Sequence, residues 1–137
     1  MTDESPHSTI ERLIKAAQDV RENAFAPYSN FRVGAALETI EGEIYTGCNI
    51  ENATFGLTLC AERLAIFKAM SEGQREFRQL AVIADTKDLT PPCGACRQII
   101  WEFCGDITLT LANLRGQTRQ FSMSTLFPHA FDRSFLH

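Results

Sequence analysis

The stretch CAERLAIFKAMSEG, residues 60–73, decides how this chain is read. Its Ala, Leu, Arg, Lys and Met residues are strong helix formers and Gly73 supplies a stop, so the composition predicts a helix that ends there. The start of that helix carries unusual residues, with Cys60, Glu62 and Arg63 crowded together. A helix start of the same kind lies at PPCGAC, residues 91–96, where Cys93 and Cys96 open a predicted helix over about 94–103. Two helices therefore begin on thiols.

Helix N-termini carry partial positive charge and unpaired N–H groups, which stabilise thiolates and make them better metal ligands. Cys93 and Cys96 have the C-x2-C spacing that chelates a tetrahedral ion, and Cys60 can join them if the site lies off the end of its helix. The reading is one Zn2+ per subunit held by Cys60, Cys93 and Cys96. A closed site needs a fourth protein ligand. Cys104 lies eight residues beyond Cys96, about 12 Å up the same helix at 1.5 Å per residue, and cannot reach. Cys48, in a presumed strand, is not excluded by spacing, so a four-sulfur structural site stays open; otherwise the fourth position belongs to water. Zinc lowers the pKa of a bound water, an effect that three thiolates blunt and that the two helix starts and Arg63 offset. Arg63 is placed to donate hydrogen bonds to the sulfurs; in isolation it would read as a surface ion pair. Glu62, beside the metal but not on it, is the expected proton carrier, although a lone glutamate there could simply complement the helix dipole.

Outward from these helices the chain alternates. Ser8 and Glu11 form a capping box ahead of Ile10, Leu13, Ile14, Ala17 and Val20, which predicts an amphipathic helix to about Ala24. Residues 31–39 and 43–49 read as two strands around the turn Ile40-Glu41-Gly42. A strand within 80–84, strands near 107–111 and 118–123, and a short helix at 124–127 complete the pattern. With no repeat or linker, the expectation is one domain over residues 1–137, an α/β fold built as a three-layer α/β/α sandwich around a central mixed sheet of about five strands.

Composition narrows the function. In 137 residues, 13 basic and 17 acidic side chains give a net charge of −4, and no stretch gathers the cations that polyanion binding needs, so nucleic acid is not the expected ligand. The first residues are polar and acidic and no apolar run approaches a membrane span, so no membrane partner and a cytoplasmic location are expected. Five cysteines, an odd number, fit reduced thiols better than a disulfide framework. His7, His129 and His137 fall near the termini and read as solvated or packing residues, and Cys48 and Cys104 as small apolar ones.

A non-ligand glutamate combined with P-C-x-x-C marks zinc nucleobase deaminases. The segments APYSNFRVGAAL, GCNIENATFGLTLCAER and PPCGACRQI resemble those of the small homotetrameric cytidine deaminases, from about residue 26 through 131. The resemblance implies hydrolytic deamination of cytidine and deoxycytidine to the uracil nucleosides with release of ammonia, as in pyrimidine salvage. It implies Cys60, Cys93 and Cys96 as zinc ligands and Glu62 as general acid/base. It further implies that Asn49 and Glu51 hold the ribose hydroxyls, Phe31 packs on the pyrimidine, the Ala61 N–H binds the O2 carbonyl, and the Pro91 carbonyl accepts from the amine. Phe131 is similar to the aromatic that crosses to a neighbouring subunit in the homotetramer, whose active sites lie at subunit interfaces; without the family it reads as a tail residue docking on its own core. Two positions depart from the pattern. Phe55 stands where many members carry Tyr, removing a possible hydrogen bond near the sugar 5′ end, and Leu64 follows CAER where Thr is usual. Rival readings are a deaminase for a modified or antibiotic nucleoside, a nucleic-acid editor lacking the expected basic channel, and a non-catalytic zinc protein, which would need neither Glu62 nor the Asn49, Glu51 pair.

Overall fold

A computed structural model describes residues 6–136, with side chains from 9 onward. Helix α1 (Pro6–Arg21) leads into a five-stranded sheet built from β1 (Val33–Thr39), β2 (Ile44–Cys48), β3 (Phe77–Ala84), β4 (Thr108–Asn113) and β5 (Thr118–Ser122). Helices α2 (Ala61–Ser71) and α3 (Gly94–Cys104) fall between β2 and β3 and between β3 and β4, and α4 (Met123–Leu126) follows β5.

The strand order is β2-β1-β3-β4-β5. The pairs β2–β1, β1–β3 and β4–β5 are antiparallel, and β3–β4 is parallel, so the sheet is mixed as expected. A parallel pair needs a long crossover, and α3 supplies it. Strand period two then sorts the core. Leu37, Leu80, Val82, Leu109 and Leu111 face α2 and α3 with Ile66 and Ile100, while Ala36, Ala81, Ile83 and Ala112 face α1 with Leu13 and Ala17. Helices therefore cover both faces, and β3, buried on both, reads as a nearly continuous apolar run.

Two glycines set how closely helices approach. A Cβ at Gly34 would lie 2.0 Å from the Ala17 carbonyl oxygen, and one at Gly47 would lie 2.5 Å from both the Ala61 oxygen and the Ala65 nitrogen. The second contact seats the start of α2 directly on β2. That start thereby reaches the ends of the strands, where open α/β sheets place their ligands.

The departures from the sequence reading are local. Helix α1 begins at Pro6, so Ser8 sits inside its first turn instead of ahead of it; the Ser8 side chain, like those of His7 and His137, lies outside the described residues. It ends at Arg21, three residues early, where Asn23 and Ala24 N–H groups turn back onto the Val20 and Arg21 carbonyls. Phe31 and Arg32 precede β1 instead of opening it, because the Asn49 side chain holds them in a loop: its Nδ2 donates to the Phe31 carbonyl at 2.7 Å. Strand β3 starts at Phe77, three residues early. Phe77 is buried, and Gln79, a polar residue that obscures the apolar run, is satisfied by donating to Glu38 at 2.9 Å.

Candidate metal and catalytic site

Cys60 is the N-cap of α2 and Cys93 the N-cap of α3, both in extended backbone conformation, with Cys96 in the first turn of α3. Neither capping side chain bonds back to its own helix, which leaves the sulfurs free to face one another. The three Sγ atoms lie within 4.8 Å of one another. They form the one group of three or more potential ligands among the described residues; Cys48 and Cys104 stand outside it, so the four-sulfur alternative has no fourth sulfur here.

The electrostatics fit a soft cation. The Cys60 thiol is drawn down to about 6, first by the hydrogen bond it receives from Cys96 and also by the Arg63 charge, against the opposing effect of burial. Cys96 is pushed up by making that bond and by its own burial. Burial alone would lower the pKa of Arg63, but its hydrogen bond to Cys96 and the three neighbouring sulfurs raise it, so the guanidinium sits charged behind the cluster. Its Nε is buried without a partner, an arrangement that concentrated negative charge on the sulfurs would compensate. Three thiols at two helix starts, backed by a cation, are a donor set suited to Zn2+.

Glu62, the second residue of α2, is only 5 % exposed. Burial pushes its carboxyl up to about 7, and the Cys60 sulfur adds to this while its own backbone N–H and Arg63 oppose it. A carboxyl poised near neutrality can both take and return a proton.

The cluster forms one end of a cavity of about 290 Å³. Phe31, Val33, Val82, Pro91 and Pro92 give it apolar walls, and Ala61, Glu62, Asn49 and Glu51 also line it; among the described residues no Lys, Arg or His does. Of the expected binding residues, Phe31, Asn49, Glu51, Ala61 and Pro91 are thus brought together. Phe55 and Phe131 are not. Phe55, 75 % exposed, meets Tyr28 edge to face in an adjoining cleft shared with Ser29, Glu51 and Thr58. Phe131 stacks on Phe135 with centroids 5.7 Å apart, its carbonyl accepting from Gln98 Nε2 at 2.9 Å, and remains 54 % exposed. The tail at Phe131 thus rests on Gln98 of α3 while leaving half of the residue exposed. His129 lies in left-handed backbone, away from the sulfurs.

Sequence reasoning missed Ser29, Thr58 and Thr90, which also line the cavity. It also missed Arg97, whose Nε and Nη1 donate to the Pro92 and Leu126 carbonyls at 2.9 and 2.7 Å and so tie the loop before Cys93 to α4. These contacts join residues far apart in the chain and leave no periodic signature.

A mixed sheet that presents three thiols and a buried carboxyl at adjoining helix starts defines a class of zinc-dependent hydrolytic proteins. Residues 7–110 match the family described as "Cytidine and deoxycytidylate deaminase zinc-binding region". The chain is 50 % identical to the cytidine deaminase of Sporosarcina psychrophila over 93 % of its own length and 94 % of that protein. It is 52 % identical to that of Halalkalibacterium halodurans over 88 % and 92 % of the two chains. The crystal structure of cytidine deaminase from Burkholderia pseudomallei superposes with a TM-score of 0.86 at 45 % identity, covering 93 % of this chain and 99 % of that one. This chain belongs to the cytidine deaminase family.

Proposed function

We propose that the protein hydrolyses cytidine and deoxycytidine to the uracil nucleosides and ammonia, and the observation that carries this reading is the buried Glu62 carboxyl beside three clustered thiols. A zinc ion held by Cys60, Cys93 and Cys96 supplies Lewis acidity and lowers the pKa of water. Glu62 takes a proton from the attacking water and delivers it to N3 of the base. As the C4–N4 bond breaks, Glu62 moves the remaining proton of the C4 hydroxyl to N4, so the amine leaves as ammonia and the C4 carbonyl forms, while the Pro91 carbonyl accepts a hydrogen bond from that amine. The Ala61 N–H, one of those a helix start leaves without an intrahelical acceptor, donates to the O2 carbonyl. Phe31 covers a ring face.

In a pyrimidine, C4 and N1 lie on opposite sides of the ring. With C4 at the thiol end, the sugar on N1 points toward Ser29, Asn49, Glu51 and Thr58, which line the rest of the cavity. The Asn49 Oδ1 already accepts from Val33 N–H at 2.9 Å and its Nδ2 donates to Phe31, leaving one amide hydrogen to offer. Glu51 adds an acceptor, so the pair suits a sugar hydroxyl that both accepts and donates.

Supporting a homotetramer with shared active sites are the exposed apolar side chains of Phe25, Tyr28, Ile50, Phe55 and Leu57, each more than 40 % exposed, of which Tyr28 and Phe55 line the cleft that shares Glu51 with the cavity. Phe131 is equally available to a neighbour, and Phe55 to the sugar's 5′ end. A single five-stranded sheet supports reading residues 1–137 as one domain. Among the described residues no helix is long and apolar enough to cross a membrane.

The test is ultraviolet absorbance of the zinc-loaded protein with cytidine, deoxycytidine and free cytosine. Both nucleosides are expected to turn over, and cytosine to react at least about a hundredfold more slowly, because a bare base leaves the sugar-facing polar groups unpaired. Equal rates on cytosine would remove Asn49 and Glu51 from recognition, and an inert nucleoside panel would end the deaminase reading.

A further inference from the structure

We infer that Ser29 is a positioning residue whose hydroxyl, by donating to Glu51, aims the remaining acceptor of that carboxylate at the sugar. This rests on the functional reading above and adds a residue to it. Ser29 lies in the loop between α1 and β1 and lines the cavity beside Glu51. Its Oγ donates to Glu51 Oε2 and accepts from the Phe31 N–H at 3.0 Å. The Tyr28 and Ser29 N–H groups both donate to Oε1, at 2.9 and 3.1 Å.

The count of lone pairs gives the consequence. Oε1 has two donors and is filled, whereas Oε2 has one donor and keeps a single acceptor site. The carboxylate is therefore held at both oxygens, and the Ser29 hydroxyl fastens the oxygen that still has something to offer. These donors, the hydroxyl first, hold the Glu51 pKa below the usual carboxylate range, so the acceptor stays ionised although no cationic side chain among the described residues lines the cavity. Asn49 ties the same loop at Phe31 and Val33. Removing the Ser29 hydroxyl leaves the Phe31 N–H without its acceptor and leaves Oε2 with two open sites, the carboxylate then being held at Oε1 alone.

Steady-state kinetics of wild type, Ser29→Ala and Ser29→Thr test this, with cytidine as substrate and 2′,3′-dideoxycytidine as a competing nucleoside. Ser29→Ala is expected to raise KM for cytidine roughly tenfold with kcat within about threefold, the pattern of lost binding shared by ground and transition states. Ser29→Thr, which keeps a hydroxyl, restores KM. The dideoxy nucleoside lacks the 2′- and 3′-hydroxyls that Glu51 is assigned to hold, so its inhibition constant should differ by less than about twofold between wild type and Ser29→Ala. The assignment is overturned by an unchanged KM, by a fall in kcat at constant KM, by equal losses for both nucleosides, or by a Ser29→Thr variant as impaired as Ser29→Ala. A wild-type chain that leaves cytidine untouched would instead remove the functional reading itself.

Discussion

Replacing Glu62 by glutamine is expected to abolish turnover of cytidine, lowering kcat by about 10²–10⁴-fold, the range a positioned general acid/base contributes. Zinc content should stay near one per chain. The side chain is 5 % exposed and packed at the start of α2, so glutamine fills the same space and leaves the three sulfurs undisturbed. What it cannot do is carry a proton. The carboxyl's ordinary pKa would leave it a poor acid near neutrality; burial at about 7 makes both directions of transfer accessible. Metal analysis beside single-turnover assays separates the outcomes. Turnover near the wild-type rate would remove Glu62 from the mechanism, and loss of zinc would recast it as a residue of the metal site.

Replacing Cys96 by alanine is expected to do the opposite, reducing zinc to well below one per chain and activity along with it. Cys96 is 1 % exposed, its sulfur lies within 4.8 Å of those of Cys60 and Cys93, and it interacts electrostatically with the Arg63 charge, so it joins the three-sulfur group to its cationic support. Loss of a partner that merely orients a ligand costs about 10–100-fold in metal affinity, and loss of a ligand should exceed that. Zinc measured after dialysis against a weak chelator reads the effect. Full retention of metal would show that the Cys96 sulfur is dispensable.

Much of this site was legible in the sequence because its residues sit at helix starts, where local rules are strong. Cys60, Glu62, Cys93 and Cys96 fall at positions whose dipole, spacing and composition each point to metal chemistry. The α/β/α layering was legible for a similar reason, since strands and helices alternate with clear periods. What the sequence concealed depends on contacts across distance. Phe31 and Arg32 have strand composition, yet an asparagine 18 residues further on holds Phe31 in a loop. The start of β3 hides behind Arg78 and Gln79 because the latter's polarity is satisfied only by Glu38 on a neighbouring strand. Ser29 escaped notice because its partner, Glu51, lies 22 residues away. The choice between water and Cys48 at the fourth position likewise needed three dimensions. Cys48, buried at the end of β2, does not meet the other sulfurs.

The central claim is that three sulfurs hold one zinc whose remaining position is open to solvent beside Glu62. X-ray absorption at the zinc edge tests it most directly. The account predicts three sulfur neighbours at about 2.3 Å and one oxygen neighbour at about 2.0 Å, the latter replaced when a nucleoside analogue binds. Four sulfur neighbours, or a shell unaltered by any nucleoside, would contradict it.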